Sequence, residues 1–600
     1  MATIKNNFNW RTSPRSITEL FKWLPYFNKF NDQDYGQSVD VDPDYQGYLK
    51  NTRIYPVRRA ITYTYEVNSD NPDKFTEIPF DEFVRGKQPV GDTADKESRV
   101  RQRVTTAEQY GLMDSKNAHL TPMGLKVVNK TFTAEDFLIQ LLKMYVVTNP
   151  SDGVFPLKTV LKLIQKYKYL SRNELTYVFG VLKDDDYSTA EDAVGDFRHE
   201  YGQLSNKNDN NRVFQLVSEM WNKYFTEIPT KKLVSIHNDY TDALRRALEY
   251  TDIFISHGRG TATKIRISEL NHDKVKMLLT EYNWPKPPLV NNKQEGSRNN
   301  IDWFGAIDNI KLPWDNPEQR KALITAKIKV TKDKFKKIPN ASFNESEAND
   351  LLEKTNTDSI NSLKEIDSAV DMVITNANEE NFVKQTSQTT DMRKEIIERY
   401  DTILTDNDMS ALWLEVNTWR AFVALPGMNK RVKYNFKMNP DLTPRSFAPG
   451  VGNTPDMEVY YDDSLILPEV SLMTGVQQWE HEASSVTDHI LQKVSEYKDK
   501  NVIGLFISSK MNQRTMWQYF LLNRESWLGK PIPVVPITIT QFQKIIKYAY
   551  KNNKDIYKVA ELIFSISEVT QHLTRYTNWQ TNITNLIDKW TETKPKTPKN

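Results

Sequence analysis

The 600-residue chain contains no cysteine. That excludes disulfides, thiolate metal sites and cysteine nucleophiles, and it accords with a reducing cytosol. Any bound metal must take oxygen or imidazole ligands, and only eight histidines are present to supply the latter. No apolar run approaches the roughly 20 residues that cross a bilayer. The opening "MATIKNNFNWRTSPRS" also lacks the hydrophobic core of a signal peptide, so no membrane association and a cytoplasmic address are expected. Charge of one sign is missing too: the net charge is +2, and any surface for nucleic acid must be local. There is no G-x-x-x-x-G-K-[ST] phosphate loop and no G-x-S-x-G elbow. "HEASS" at 481–485 lacks the second histidine of a zincin helix, and "GRGTAT" lacks the third glycine of a dinucleotide fingerprint.

What is present is a folded chain, with 38% hydrophobic, 11% aromatic and 26% charged residues. Its length implies two or three domains. Basic clusters crowd the first half: "RVRQR" at 99–103, "KTVLKLIQKYKYLSR" at 158–172, the pair at 245–246 and "AKIKVTKDKFKK" at 326–337. The stretch 341–380 reverses sign, with ten Asp/Glu against two Lys, and it lacks Gly and Pro. Apolar residues near helical spacing make it an acidic helical connector. The expected division is a recognition region over 1–300, a helical linker over 301–395 and a third domain over 396–600.

Two segments of the first half share a plan of helix, hairpin and further helix. In "VRQRVTTAEQYGLMDSKNAHLTPMGLKVV" a helix ends near Gly111, a polar turn follows at Asp114–Asn117, and the next helix opens at Thr121-Pro122. In "DALRRALEYTDIFISHGRGTATKIRISEL" a helix leads to strands at Ile253–Ser256 and Lys264–Ile267 around a glycine-rich tip at His257–Gly260. Both patterns suggest winged helices, a mainly helical architecture that places one helix in the major groove. Arg101, Arg103, Lys126, Arg245, Arg246, Arg259, Lys264 and Arg266 are the expected DNA-binding residues, although such modules also serve protein contacts. "SRNELTYVFGVL" at 171–182 adds a Ser-x-x-Glu capping box before an apolar helix.

The second half reads as mixed α/β. A helix near 408–425 precedes a hairpin over 456–471, and a helix follows with Ser485 and Asp488 in capping-box spacing. Strands are expected at 502–508 and 532–539 with a helix between them. If the hairpin turns at Asp462-Asp463, facing residues have numbers that add to 925, which opposes Asp456 to Glu469. Like charges directly opposed across an antiparallel pair destabilise it, so a cation between them is the natural reading. Magnesium, held by one or two carboxylates with waters and phosphate oxygens, suits the donors, and the Val470 carbonyl can add a ligand. Glu415 lies at the edge of the apolar stripe Leu412, Val416, Trp419, Val423. Glu482 and His489, the latter in the first turn of its helix, can reach the same end of the sheet. Taken singly, each has an ordinary alternative as turn former, solvated carboxylate or structural hydrogen bonder.

These residues resemble a family. "GNTPDMEVYYDD", "LPEVS" and "GVQQWEHEASSVTDH" are similar, without gaps, to motifs of the AlwI/BstNBI/MlyI group of type IIS restriction and strand-nicking endonucleases. Weaker similarity extends through "SPRS", the "LTPMGLKVVN" wing, "DFLIQLLKMYV" and "LEYTDIFISHGRG". The resemblance implies a multidomain α+β protein with an N-terminal winged-helix recognition region, a helical linker and a C-terminal α/β cleavage domain of the PD-(D/E)xK type. It implies Asp456, Glu469 and the Val470 carbonyl as magnesium ligands, with Glu415, Glu482 and His489 completing a catalytic site. It further implies double-stranded DNA as partner, a short asymmetric recognition sequence such as GAGTC or GGATC, and a bacterial cytoplasm. A homodimer or a second cleavage subunit is needed for a double-strand cut. Ser471 stands where the general nuclease motif has lysine, which leaves the general base open. The competing readings are a non-catalytic winged-helix DNA-binding protein and a structure-specific repair nuclease.

Overall fold

The structure is a computed structural model. It describes residues 6–592 apart from 30–58, 65–78, 80–81, 83–93 and short breaks at 115–118, 150–151, 208, 259–262, 293–295, 354–358, 406–408, 429–431, 448–453 and 498–499. The polar turn after Asp114, the glycine-rich tip from Arg259 to Ala262 and Gly452-Asn453 of the hairpin motif lie outside the described residues, as does the side chain of Arg101. Two compact units divide the chain: Met1–Lys327 with Asn356–Lys364, and Ile328–Thr355 with Glu365–Asn600. The acidic stretch contains the helices Glu345–Glu353 and Ile360–Lys384. No helix among the described residues is long and apolar enough to cross a membrane.

The first unit is mainly helical with short β elements. Helix Ala94–Gln109 leads to a hairpin pairing Met113 with Leu120 and Asp114 with His119. The next helix, Pro122–Val128, is capped by Thr121, whose side chain accepts from the Gly124 N–H. In the second segment, helix Thr241–Glu249 precedes strands Phe254–His257 and Lys264–Ile267, paired antiparallel. Tyr169–Ser171 adds a third strand on the other side of Lys264–Ile267. Ser171 and Glu174 form the expected capping box, but the helix they open is only Arg172–Leu175 and continues as a 3₁₀ turn through Gly180.

His237 is buried in this unit, with Nε2 2.8 Å from Asn173 Oδ1 and Nδ1 3.1 Å from Asn238 Oδ1. Burial pushes its pKa down from 6.5 to about 4. The unfolded chain therefore takes up this proton as pH falls below about 6.5 while the folded chain refuses it until about 4, so stability is lost across that window. Between pH 7 and pH 4 the wild type should lose about 3 kcal/mol more than His237→Gln. Denaturant unfolding of both proteins at the two pH values measures this, and parallel losses would contradict it.

The second unit is built on a five-stranded mixed sheet. Its elements are α1 (Ser410–Val423), β1 (Lys433–Tyr434), β2 (Met457–Tyr461), β3 (Ser464–Ser471), α2 (Ala483–Glu496), β4 (Asn501–Ser508), α3 (Gln513–Arg524), β5 (Val534–Thr538) and α4 (Ile539–Lys551). The strand order is β1-β2-β3-β4-β5, antiparallel between the first three and parallel from β3 to β5. All but the first residue of β4 are buried, as its near-continuous apolar run demands of a parallel central strand. Pro536 falls on β5, at the sheet edge, where a missing N–H is tolerated.

Gly504 of β4 sets how closely α2 lies on the sheet. A Cβ there would come 2.1 Å from Ile490 Cδ1 and 3.0 Å from Ile490 Cγ1. Gly504→Val should therefore destabilise this unit by about 1–3 kcal/mol through overpacking, and displace the helix turn that carries His489. Thermal melting reads this; a variant that melts like wild type would contradict it.

Candidate active site

The β2–β3 hairpin turns where the sequence places it. Asp462 has φ +42°, a left-handed conformation that aspartate tolerates better than most residues. Val459 pairs with Ile466, Tyr460 with Leu465 and Tyr461 with Ser464. Those pairs sum to 925, and three residues beyond the last of them Asp456 meets Glu469. The Val470 N–H donates to Asp456 Oδ2 at 2.8 Å, and the Asp456 N–H lies 3.4 Å from Glu469 Oε2. His489, from α2, completes the contact with Nδ1 2.7 Å from Glu469 Oε1.

Four carboxyl groups share this low-dielectric end of the sheet. Burial pushes Asp456 well above its ordinary pKa, the charges of Glu469 and Glu482 push it further, and the Val470 N–H pulls it back. Burial also raises Glu469 well above its usual range, with Glu482 and Glu415 adding to it. Glu415, on α1, is raised to about 8, by burial first and by Asp456 second. Glu482 is raised by burial, while a hydrogen bond with the Ser471 side chain and the nearby histidines oppose the shift. His489 is lowered by burial. Mutual repulsion and desolvation thus hold the cluster away from full ionisation. Among the described residues no group of three or more His, Asp or Glu side chains forms a ready metal cage.

Glu458, which the sequence reading passed over, shows the contrast. It lies on β2, two residues on from Asp456, and burial alone would push it up. Lys433, Tyr460 and Lys493 instead hold it below the ordinary value. Fully buried Glu458 is neutralised by lysines, whereas half-buried Asp456, two residues earlier, faces other carboxylates, and the second kind marks functional sites.

The helix carrying His489 starts earlier than its sequence suggests. Gln478–Glu482 forms a π-helical turn that runs directly into α2 at Ala483, and Glu482 is the residue at the cap position. Ser485 and Asp488 therefore lie inside the helix and form no capping box, and His489 falls in its second turn. Gln478 anchors the π-helical turn. Its fully buried amide donates to Met473 O, Ser508 Oγ and Lys510 O at 2.8–2.9 Å, while its oxygen accepts from the Asn512 N–H at 2.7 Å. Its place in "GVQQ" was the available signal.

The expected DNA-binding residues divide. Lys264 is exposed on the hairpin and lies over the Tyr169 ring, 4.4 Å from its centroid. Arg266 is half-buried, 3.1 Å from His257 Nε2. Arg103 stacks over Trp23 at 4.1 Å and lies 3.7 Å from Glu19, and Lys126 pairs with Asp136 at 2.6 Å. Arg245 and Arg246 correct the expectation, because both are buried: Arg245 pairs with Asp242 and Glu249 at 3.0 and 2.5 Å, and Arg246 with Asp242 at 2.9 Å. The carboxylates named lie three or four residues away on the same helix.

Comparison with known proteins decides the broader class. The sequence profile of the AlwI restriction endonuclease family matches residues 108–545. The chain belongs to the AlwI restriction endonuclease family. It is accordingly a type II restriction endonuclease, a nuclease acting on DNA. Among solved structures the chain is similar to the small subunit (R.BspD6I2) of the heterodimeric restriction endonuclease R.BspD6I, at 22% identity over 32% of this chain and 98% of that one. The TM-score is 0.28. No curated protein matches the chain.

Proposed function

We propose that this AlwI-family chain is a type IIS endonuclease that reads a short asymmetric sequence with its first unit and hydrolyses a phosphodiester a few base pairs to one side with its second. The observation that carries the reading is the opposition of half-buried Asp456 and buried Glu469, with His489 on Glu469. In this reading the second unit is a PD-(D/E)xK cleavage domain, and the hairpins of the first unit are wings of winged helices. The all-oxygen donors fit Mg²⁺, because clustered carboxylates disfavoured as anions gain from a hard cation that takes one or two of them. Asp456, Glu469 and the Val470 carbonyl would hold it. When bound, Mg²⁺ would lower the pKa of water and offset charge on the scissile phosphate.

The chain's own residues do the remainder. The Val470 N–H orients the Asp456 carboxylate, and the His489 Nδ1 contact orients Glu469. Glu415, raised to about 8, is able to take a proton near neutrality, and Glu482 is raised above the ordinary carboxylate value by burial. Ser471, at the position of the missing lysine, bonds to Glu482, which makes Glu482 the leading candidate for general base. Cleavage of supercoiled plasmid in magnesium chloride, abolished by EDTA, is the expected result; cleavage undiminished by EDTA would overturn the cation assignment. Specific binding should also weaken steeply with salt, log K falling linearly with log salt by about 0.9 per phosphate neutralised. A flat dependence in a gel-shift titration would remove the basic clusters from the account.

A further inference from the structure

Glu458 is fully buried, a position carboxylates rarely hold unless paired. Lys433 Nζ lies 2.6 Å from its Oε1, Lys493 Nζ 3.4 Å from the same atom, and the Tyr460 hydroxyl donates to its other oxygen. Lys493 follows His489 by four residues on α2, and Tyr497 follows Lys493 by four. The Tyr497 hydroxyl lies 2.9 Å from that of Tyr460. The β2–β3 hairpin and the helix therefore meet in three rungs: Glu469 of β3 with His489 at 2.7 Å, Glu458 of β2 with Lys493 at 3.4 Å, and Tyr460 of β2 with Tyr497 at 2.9 Å.

The spacing explains why the rungs stay in step. Glu469 stands level with Asp456 by the hairpin register, two residues before Glu458 as Glu458 is before Tyr460; each such step advances about 6.6 Å along the strand, and four helix residues about 6 Å. A carboxylate in the middle rung is costly unless its cations stay in place, because removing one partner of a buried ion pair leaves an uncompensated charge. That cost ties the rotation and height of α2 to β2. The upper rung, where His489 meets Glu469, takes its geometry from the rung beneath.

We propose that Glu458 and Lys493 are positioning residues, whose buried ion pair sets the placement of α2 and thereby holds His489 on Glu469 in the cleavage-competent arrangement. The proposal rests on reading the Asp456/Glu469 site as the cleavage centre. It differs from a purely structural role in what it moves: a structural pair alters melting, whereas a positioning pair alters the rate of the folded enzyme.

The test is single-turnover cutting, in magnesium chloride, of a supercoiled plasmid that the wild-type chain cuts. Full-length Glu458→Gln, Lys493→Gln and the double variant are compared below their melting temperatures. Each single variant should cut on the order of 10- to 100-fold more slowly, the scale of losing a group that orients a catalytic side chain or of a small misplacement of catalytic groups. The enzyme concentration giving half-maximal rate should not change. The double variant should lose little more than the worse single, because the two residues act as one unit. Wild-type rates in the folded single variants, a change confined to the half-maximal concentration, or losses that multiply would overturn the proposal. If Glu458→Gln does not fold, the rate and half-maximal concentration of Lys493→Gln decide alone. Asp456→Asn, run alongside, separates the two failures: if it cuts normally the cleavage-centre reading falls, and if it is inactive while the positioning variants cut normally only the positioning role falls.

Discussion

Asp456→Asn should lower the rate of cleavage on the order of 10³-fold or more, because it removes charge aimed at the ion and the developing phosphate charge, while specific DNA binding persists. The side chain keeps its volume, and its amide oxygen can still accept from the Val470 N–H that now donates to Asp456 Oδ2. Folding should be unharmed and even helped, since the buried site disfavours the aspartate anion. Without added metal, a neutral amide removes that repulsion, so melting should stay level or rise. Glu469→Gln should behave alike, because the ionised pair rather than either shape is what the reaction uses. Binding is measured by gel shift, cleavage by plasmid assay and folding by melting. Retained cleavage by both variants in magnesium would sink the assignment, and lost binding would mean that recognition depends on this centre.

At limiting enzyme, supercoiled plasmid should pass first to open circle, with linear product rising steeply as enzyme concentration increases. The argument is geometric. One carboxylate centre engages one strand in one orientation, and the antiparallel partner strand presents the opposite polarity. A second cut needs a second centre, from another copy or another subunit, and so depends on concentration in a way that the first does not. Gel analysis of plasmid topology across an enzyme dilution series reads this directly. Linear product appearing at the lowest concentrations, without open circle before it, would show a preformed pair of centres.

The parts of the candidate site legible in the sequence were those fixed by local rules. A two-residue turn determines register, so the opposition of Asp456 and Glu469 followed from counting, and the structure carries that register. The start of α2 was not legible, because a π-helical turn over Gln478–Glu482 feeds it without a capping side chain. That turn depends on Gln478 reaching backbone and hydroxyl groups between 5 and 34 residues away. Glu458 was illegible for a related reason. A glutamate on a strand reads as a solvated position, and only the packing of β1 and α2 brings up the lysines that neutralise it, Lys433 and Lys493. Arg245 and Arg246 are different: "DALRRALE" already carries Asp242 and Glu249 at helical spacing, so their intramolecular pairing was readable from the i,i+3 and i,i+4 rule. In the hairpin of the first unit, Lys264–Ile267 falls where alternation and the glycine-rich tip put it.

Sequencing the 5′ and 3′ ends that the wild-type chain produces in plasmid DNA with magnesium chloride tests the central claim most directly. The account predicts ends at one fixed offset, on one side of a short non-palindromic sequence, that vanish with EDTA and in Asp456→Asn. Ends scattered without regard to sequence, ends at branches or lesions, or the same ends persisting in Asp456→Asn would contradict it.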